Sequence, residues 1–117
     1  MNLVIYMFSQ LPQISPEEAK TKASNGHFLI IDVREDREVN YTSLAKVSVP
    51  FTHIKMGEIV RRVNELPKDK QLGILCHTGS RSGQVTRFLR QQGFDAVNIR
   101  GGIENWAVTV DPSLPRY

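Results

Sequence analysis

The feature that most limits what this chain can fold into is the run Phe28-Leu29-Ile30-Ile31-Asp32-Val33. It lacks the alternation of apolar and polar residues that marks a sheet with one wet face. A near-continuous apolar run suits a strand buried on both faces, as in a parallel sheet covered by helices. Leu72 to Leu75 is a second run of this kind. Two such strands need helical crossovers between them.

The rest of the chain supplies those crossovers. Ser15-Pro16-Glu17-Glu18 is a helix start, with Ser15 able to cap, Pro16 suited to the first helical position and Glu18 completing a capping box. That helix should stop near Asn25-Gly26, which can turn left-handed. Residues 39 to 46 show no clear pattern. Val47-Ser48-Val49 reads as a short strand closed by Pro50. Met56, Ile59, Val60 and Val63 fall at helical spacing, which predicts an amphipathic helix over about residues 55–65. Leu72 to Cys76 is a strand. Val85, Phe88 and Leu89 mark one face of a helix over about residues 81–92, ended by Gly93. Ala96 to Ile99 is the last strand. A short helix after Gly101-Gly102 turns Ile103, Trp106 and Ala107 inward. The tail from Asp111 to Tyr117 reads as irregular. Met1 to Phe8 reads as a leading strand or packed arm. Alternation of strands and helices argues for an α/β fold with a parallel sheet. Ligands in such sheets sit beyond the carboxyl ends of the strands.

Cys76-His77-Thr78-Gly79-Ser80-Arg81-Ser82 lies at such an end, between a strand and a helix. The amides of a tight loop and of a helix N-terminus converge on one spot and favour an anion there. A thiolate is such an anion and a nucleophile. A lone cysteine is more often an inert core residue. A core cysteine, however, has no need of a glycine, two hydroxyls and an arginine directly after it.

Composition narrows the function classes. The 117 residues suffice for one core. The formal charge of +3 mildly favours small anions, and it is too small and scattered for a nucleic-acid binder. With one cysteine the chain holds no internal disulfide, CxxC pair or cysteine zinc cluster. The lone thiol suits a reducing compartment. Met1 to Phe8 is too short to span a membrane and lacks a basic start. The expectation is a cytoplasmic protein with no membrane partner.

Together these residues resemble the single-domain rhodaneses, a sulfurtransferase family. The loop Cys76 to Ser82 is similar to the family's C-x-x-G-x-R-S, and Asp32-Val33-Arg34-Glu35 to its D-V-R-E. Gly101-Gly102-Ile103-Glu104-Asn105-Trp106 resembles G-G-x-x-x-W. Ile14-Ser15-Pro16-Glu17-Glu18-Ala19 is similar to the family's opening. The resemblance implies a rhodanese-like α/β fold, with a central parallel five-stranded sheet flanked by helices on both faces. It also implies one domain over residues 1–117, with a core of about 13–110, an arm at 1–12 and a tail at 111–117. One stretch departs from the family: Tyr41 to Pro50 lacks both glycines and the histidine of the usual G-H-I-x-G-A.

The resemblance makes Cys76 the nucleophile. It attacks the sulfane sulfur of a donor such as thiosulfate, and a Cys76 persulfide passes that sulfur to cyanide or a thiol. No metal or organic cofactor is required. The intervening residues between Cys76 and Arg81 number one fewer than in the C-x5-R loops of cysteine phosphatases and arsenate reductases, which favours sulfur over phosphate. Thr78 and Ser80 can donate hydroxyl hydrogen bonds to the persulfide or anion. Gly79 supplies a backbone angle, Ser82 caps the helix, and His77 lies at the mouth. Arg81 binds the anion or braces the loop, with Asp32 and Glu35 as candidate partners. Arg34 is structural or adds positive potential at the mouth. His27 and His53 are surface or packing residues. Other readings of the same residues are a non-catalytic binding or redox-sensing module and a sulfur carrier to a protein partner.

Overall fold

A computed structural model describes residues 11–117. The expected arm at Met1 to Phe8 lies outside the described residues. Five strands form one parallel sheet: β1 (Gln13–Ile14), β2 (Phe28–Asp32), β3 (Thr52–His53), β4 (Gln71–Leu75) and β5 (Ala96–Ile99). Their spatial order is β1-β5-β4-β2-β3. The two apolar runs of the sequence are neighbours at the centre, with Ile31 beside Ile74 and Asp32 beside Leu75.

The helices are α1 (Pro16–Ala23), α2 (Asp36–Tyr41), α3 (Ile59–Arg62), α4 (Ser80–Gln91) and α5 (Gly102–Thr109). The pleat sends successive side chains to opposite faces, and the core divides accordingly. Ile30, Leu75, Val97 and Ile99 pack with Ala19, Ile103 and Trp106, under α1 and α5. Ile31, Leu72, Ile74 and Ala96 pack with Ile59, Val85 and Leu89, under α3 and α4. Cys76 follows Ile74 by two residues and falls in the second cluster. The pleat therefore turns its side chain to the α4 face.

Some local expectations fail for identifiable reasons. Ser15 caps α1 as expected, but the helix ends at Ala23 with a right-handed Ser24, short of Asn25-Gly26. Val47-Ser48-Val49 is no strand. Ser43 caps a 3-10 turn over Leu44–Val47, and Ser48 ends it in a left-handed conformation with φ of 59°. Burial of Leu44 overrides the β-branched valines. The strand comes later, at Thr52–His53. The helix expected over 55–65 is broken into a 3-10 turn at Met56–Glu58, the single turn of α3, and another 3-10 turn at Val63–Glu65. Ile59 anchors this segment, while Val60 is 67% exposed rather than on the buried face. Among the described residues, no helix is long and apolar enough to cross a membrane.

Candidate active site

Cys76 is the first residue beyond β4, and it is buried. Gly79 N–H donates to its Sγ at 3.1 Å. Ser82 Oγ lies 3.2 Å from the same sulfur. Gly79 stands at the cap of α4 with φ of 108°, a conformation that L side chains resist. The expected capping role of Ser82 therefore falls to the backbone at Gly79. Ser82 lies one turn inside, buried, and donates to Asn98 Oδ1 at 2.6 Å.

Hydrogen-bond direction in this cluster is fixed by valence. Gly79 C=O can only accept, and Asn98 Nδ2 donates to it at 3.1 Å. Asn98 Oδ1 must then face Ser82 and take that hydroxyl's single proton. Ser82 Oγ is left with lone pairs toward Cys76, so a protonated thiol directs its S–H there. Asn98 thus ties the loop's glycine to the serine beneath the sulfur. It went unnoticed in the sequence, where the one signal was a polar residue inside the otherwise apolar β5.

The loop is held from a second side by α5. Ile103 N–H donates to Cys76 C=O at 2.9 Å, and Glu104 N–H to His77 C=O at 3.0 Å. Gly102 makes this approach possible. A Cβ there would lie 2.4 Å from His77 O and 2.6 Å from Cys76 O. The Gly-Gly pair is therefore a docking surface for the loop backbone.

Arg81 is braced, but by neither expected partner. Both its terminal nitrogens donate to Glu38 on α2, at 2.7 and 2.8 Å. These hydrogen bonds hold the Glu38 carboxyl well below the usual carboxylate range, against its partial burial. They also raise the Arg81 guanidinium above its ordinary value. Glu35 is at the N-cap of α2, where it and Glu38 form a capping box. Asp32 is fully buried and pairs with Arg34.

Arg34 is fully buried, so it is not at the mouth. Its Nε donates to both Asp32 oxygens at 3.0 and 3.1 Å, and its Nη2 donates to Asp32 Oδ2 at 2.8 Å and to Thr42 C=O at 2.7 Å. Burial alone would lower its pKa, but the Asp32 carboxylate prevails and raises it. The guanidinium fastens β2 to the segment that lacks the family glycines. His53 joins the same strand ends, with Nε2 2.6 Å from Arg34 C=O.

Thr78 and Ser80 are exposed, with no hydroxyl contact to the sulfur. His77 stacks on Tyr117, with centroids 3.9 Å apart and planes 10° apart. Tyr117 OH donates to Glu38 Oε2 at 2.7 Å and accepts from Arg34 Nη1 at 2.9 Å. Sequence gave no sign of Glu38 or Tyr117, since each joins the site only through tertiary contact. Among the described residues, no cluster of His, Cys, Asp or Glu has the make-up of a metal site.

A sequence model of the rhodanese-like domain matches residues 15–109. The chain is 36% identical over 105 residues to YtwF of Bacillus subtilis (strain 168), provisionally named a sulfurtransferase, across 88% of this chain and 97% of that protein. It is 38% identical over 101 residues to YrkF of the same organism, provisionally named a sulfur carrier protein. That match takes in 84% of this chain but only 52% of YrkF. Among solved structures, a rhodanese-like domain protein from Staphylococcus aureus superposes with a TM-score of 0.74 at 30% identity, covering 92% of this chain and 99% of that one.

Proposed function

From the premise that this chain belongs to the rhodanese-like domain family, we propose that it is a sulfurtransferase working through a Cys76 persulfide. The observation that carries the reading is the setting of Cys76 Sγ. The sulfur lies at the carboxyl end of a central parallel strand, takes the Gly79 N–H at 3.1 Å, and faces the first turn of α4. The helix dipole and the loop amide favour negative charge there. Relatives named for sulfur transfer and sulfur carriage support the class of chemistry.

In the first step the Cys76 thiolate attacks the outer sulfur of a donor such as thiosulfate. An Sγ–S bond forms, the donor's S–S bond breaks, and its electron pair leaves with sulfite. In the second step an acceptor, cyanide or a thiolate, attacks the outer sulfur. The Sγ–S bond breaks and the electron pair returns to Cys76. The chain has one cysteine, so no internal thiol competes for the outer sulfur. The likeness to YrkF, named for sulfur carriage, supports transfer to an external acceptor, either a protein or a small molecule.

The test is the mass of the intact protein after exposure to thiosulfate and other sulfane donors, followed by thiocyanate release on adding cyanide. One added sulfur, lost on cyanide treatment and absent in Cys76→Ser, is the expected result. No added sulfur with any donor, or robust Cys76-dependent hydrolysis of an aryl phosphate, would overturn the reading.

A further inference from the structure

The tail reads as irregular in the sequence, yet it is fastened at Asp111, Leu114, Arg116 and Tyr117. Trp106 Nε1 donates to Asp111 Oδ2 at 2.8 Å. Leu114 is 2% exposed and joins the α1–α5 side of the core. Arg116 Nε donates to Glu104 Oε1 at 2.7 Å, on the helix that docks the loop. Tyr117 then lies across the rim of the active-site loop. Its ring covers His77, the residue after Cys76, at 3.9 Å. Its hydroxyl is shared by Arg34 and by Glu38, the carboxylate that grips Arg81 at the loop's far end.

Outside this ring is a cleft of about 370 Å³, lined by Arg37, Glu38, Tyr41 and Tyr117. Tyr41 meets Tyr117 edge-on, with centroids 6.0 Å apart. Cys76, which directly precedes the covered His77, is only 1% exposed. One aromatic ring is therefore both the inner wall of an open cleft and the cover over the residue next to the nucleophile. Tyr117 remains 43% exposed.

We propose that Tyr117 is the residue that sets the size of reagent able to reach Cys76. With the ring seated on His77, small donors and acceptors reach the sulfur, while bulky thiols are held in the outer cleft until the ring is displaced. Displacing it means breaking a stack and two hydrogen bonds to charged groups. The identity of the reagents as sulfur donors and acceptors rests on the function proposed above; the size selection itself does not.

Alkylation of Cys76 tests this without any sulfur donor. Second-order rates are measured with iodoacetamide and with a polyethylene-glycol maleimide for wild type, Tyr117→Phe and Tyr117→Ala, with Cys76→Ser as the blank. In Tyr117→Ala the maleimide rate should rise at least about tenfold, and the iodoacetamide rate far less, because two charge-assisted bonds and the ring are lost. Tyr117→Phe keeps the stack, loses both hydrogen bonds and should fall between; it also decides the matter if the alanine variant does not fold. An unchanged ratio of the two rates in both variants overturns the proposal, as does an equal rise for both reagents. Persulfide formation, assayed separately by mass, reports on the function reading alone.

Discussion

Glu38 and Arg81 are 43 residues apart in the chain, and they meet fork to fork at 2.7 and 2.8 Å. The pair joins α2 to the last turn of the Cys76 loop. It also carries Tyr117, whose hydroxyl uses the second Glu38 oxygen. Glu38→Ala therefore frees the loop arginine and takes from the Tyr117 hydroxyl one of its two partners. The expected loss is about 1–3 kcal/mol, given two charge-assisted bonds at a partly exposed site. Urea unfolding measures it, and persulfide formation should slow in parallel. Arg81→Lys should recover little, because an ammonium cannot span both oxygens.

The same pair predicts an acid dependence. Native Glu38 is held well below its ordinary pKa of 4.5, while in the unfolded chain it titrates near that value. Below the ordinary value the unfolded state binds the proton and the native state resists it. This contribution to stability is complete above about pH 4.5 and is lost as pH falls toward the depressed native value. Urea midpoints taken from neutral pH down through the acid range should fall less steeply in Glu38→Gln than in wild type. Equal slopes would show that the pair contributes nothing to acid sensitivity.

The alkaline side has its own marker. Burial, together with the hydrogen bond to Glu38, pushes the Tyr117 hydroxyl up to about 12, against the opposing pull of Arg34. A raised native pKa gives stability that is complete below the unfolded value of about 10 and disappears as pH rises through about 12. The phenolate spectrum of wild type minus Tyr117→Phe should titrate near that upper value. A difference spectrum titrating at the ordinary tyrosine value would mean that the hydroxyl is not held between Glu38 and Arg34.

The sheet was legible because Phe28 to Val33 and Leu72 to Leu75 are near-continuous apolar runs separated by helical patterns, the combination that a covered parallel sheet accommodates. The loop was legible because its residues are contiguous. Its supports were not. Arg81 needed a carboxylate, and sequence offered Asp32 and Glu35 on a strand end where Glu38, one turn into a helix, reaches it instead. Asp32 was unavailable because Arg34 holds it in the core. Asn98 and Tyr117 act through contacts 16 and 79 residues away in the chain, to Ser82 and Glu38. No local spacing encodes such contacts. Between Tyr41 and Pro50 the family pattern is absent, and there a valine pair misled the strand assignment.

Gly102→Ala should damage the site although it touches no substrate. The new Cβ would meet backbone oxygens of Cys76 and His77 at 2.6 and 2.4 Å, and φ is +64°. Backbone cannot swing away as a side chain can, so α5 must retreat or the loop must deform. Overpacking and left-handed strain together should cost about 2–4 kcal/mol. Because Ile103 N–H and Glu104 N–H would lose their carbonyl partners, persulfide formation should fall more than stability at permissive temperature. Gly57→Ala is the control, since nothing lies within 4 Å of its Cβ.

The Asp32–Arg34 pair separates a structural arginine from a substrate-binding one. Both side chains are 0% exposed, and Nη2 lies 2.8 Å from Oδ2. Asp32→Asn removes the charge that offsets a buried guanidinium, which should cost about 3–5 kcal/mol. Asp32→Leu with Arg34→Met removes both charges and fills the volume, so most of the lost stability should return. Thr42 C=O and the Tyr117 hydroxyl lose a donor in that double variant, which should leave a residue of about 1–2 kcal/mol. If Arg34 served only as positive potential for the incoming anion, the double variant would regain stability but lose affinity for donor. The burial of Arg34 predicts otherwise: stability and donor affinity should recover together, as read from urea midpoints and from the donor concentration that half-saturates persulfide formation.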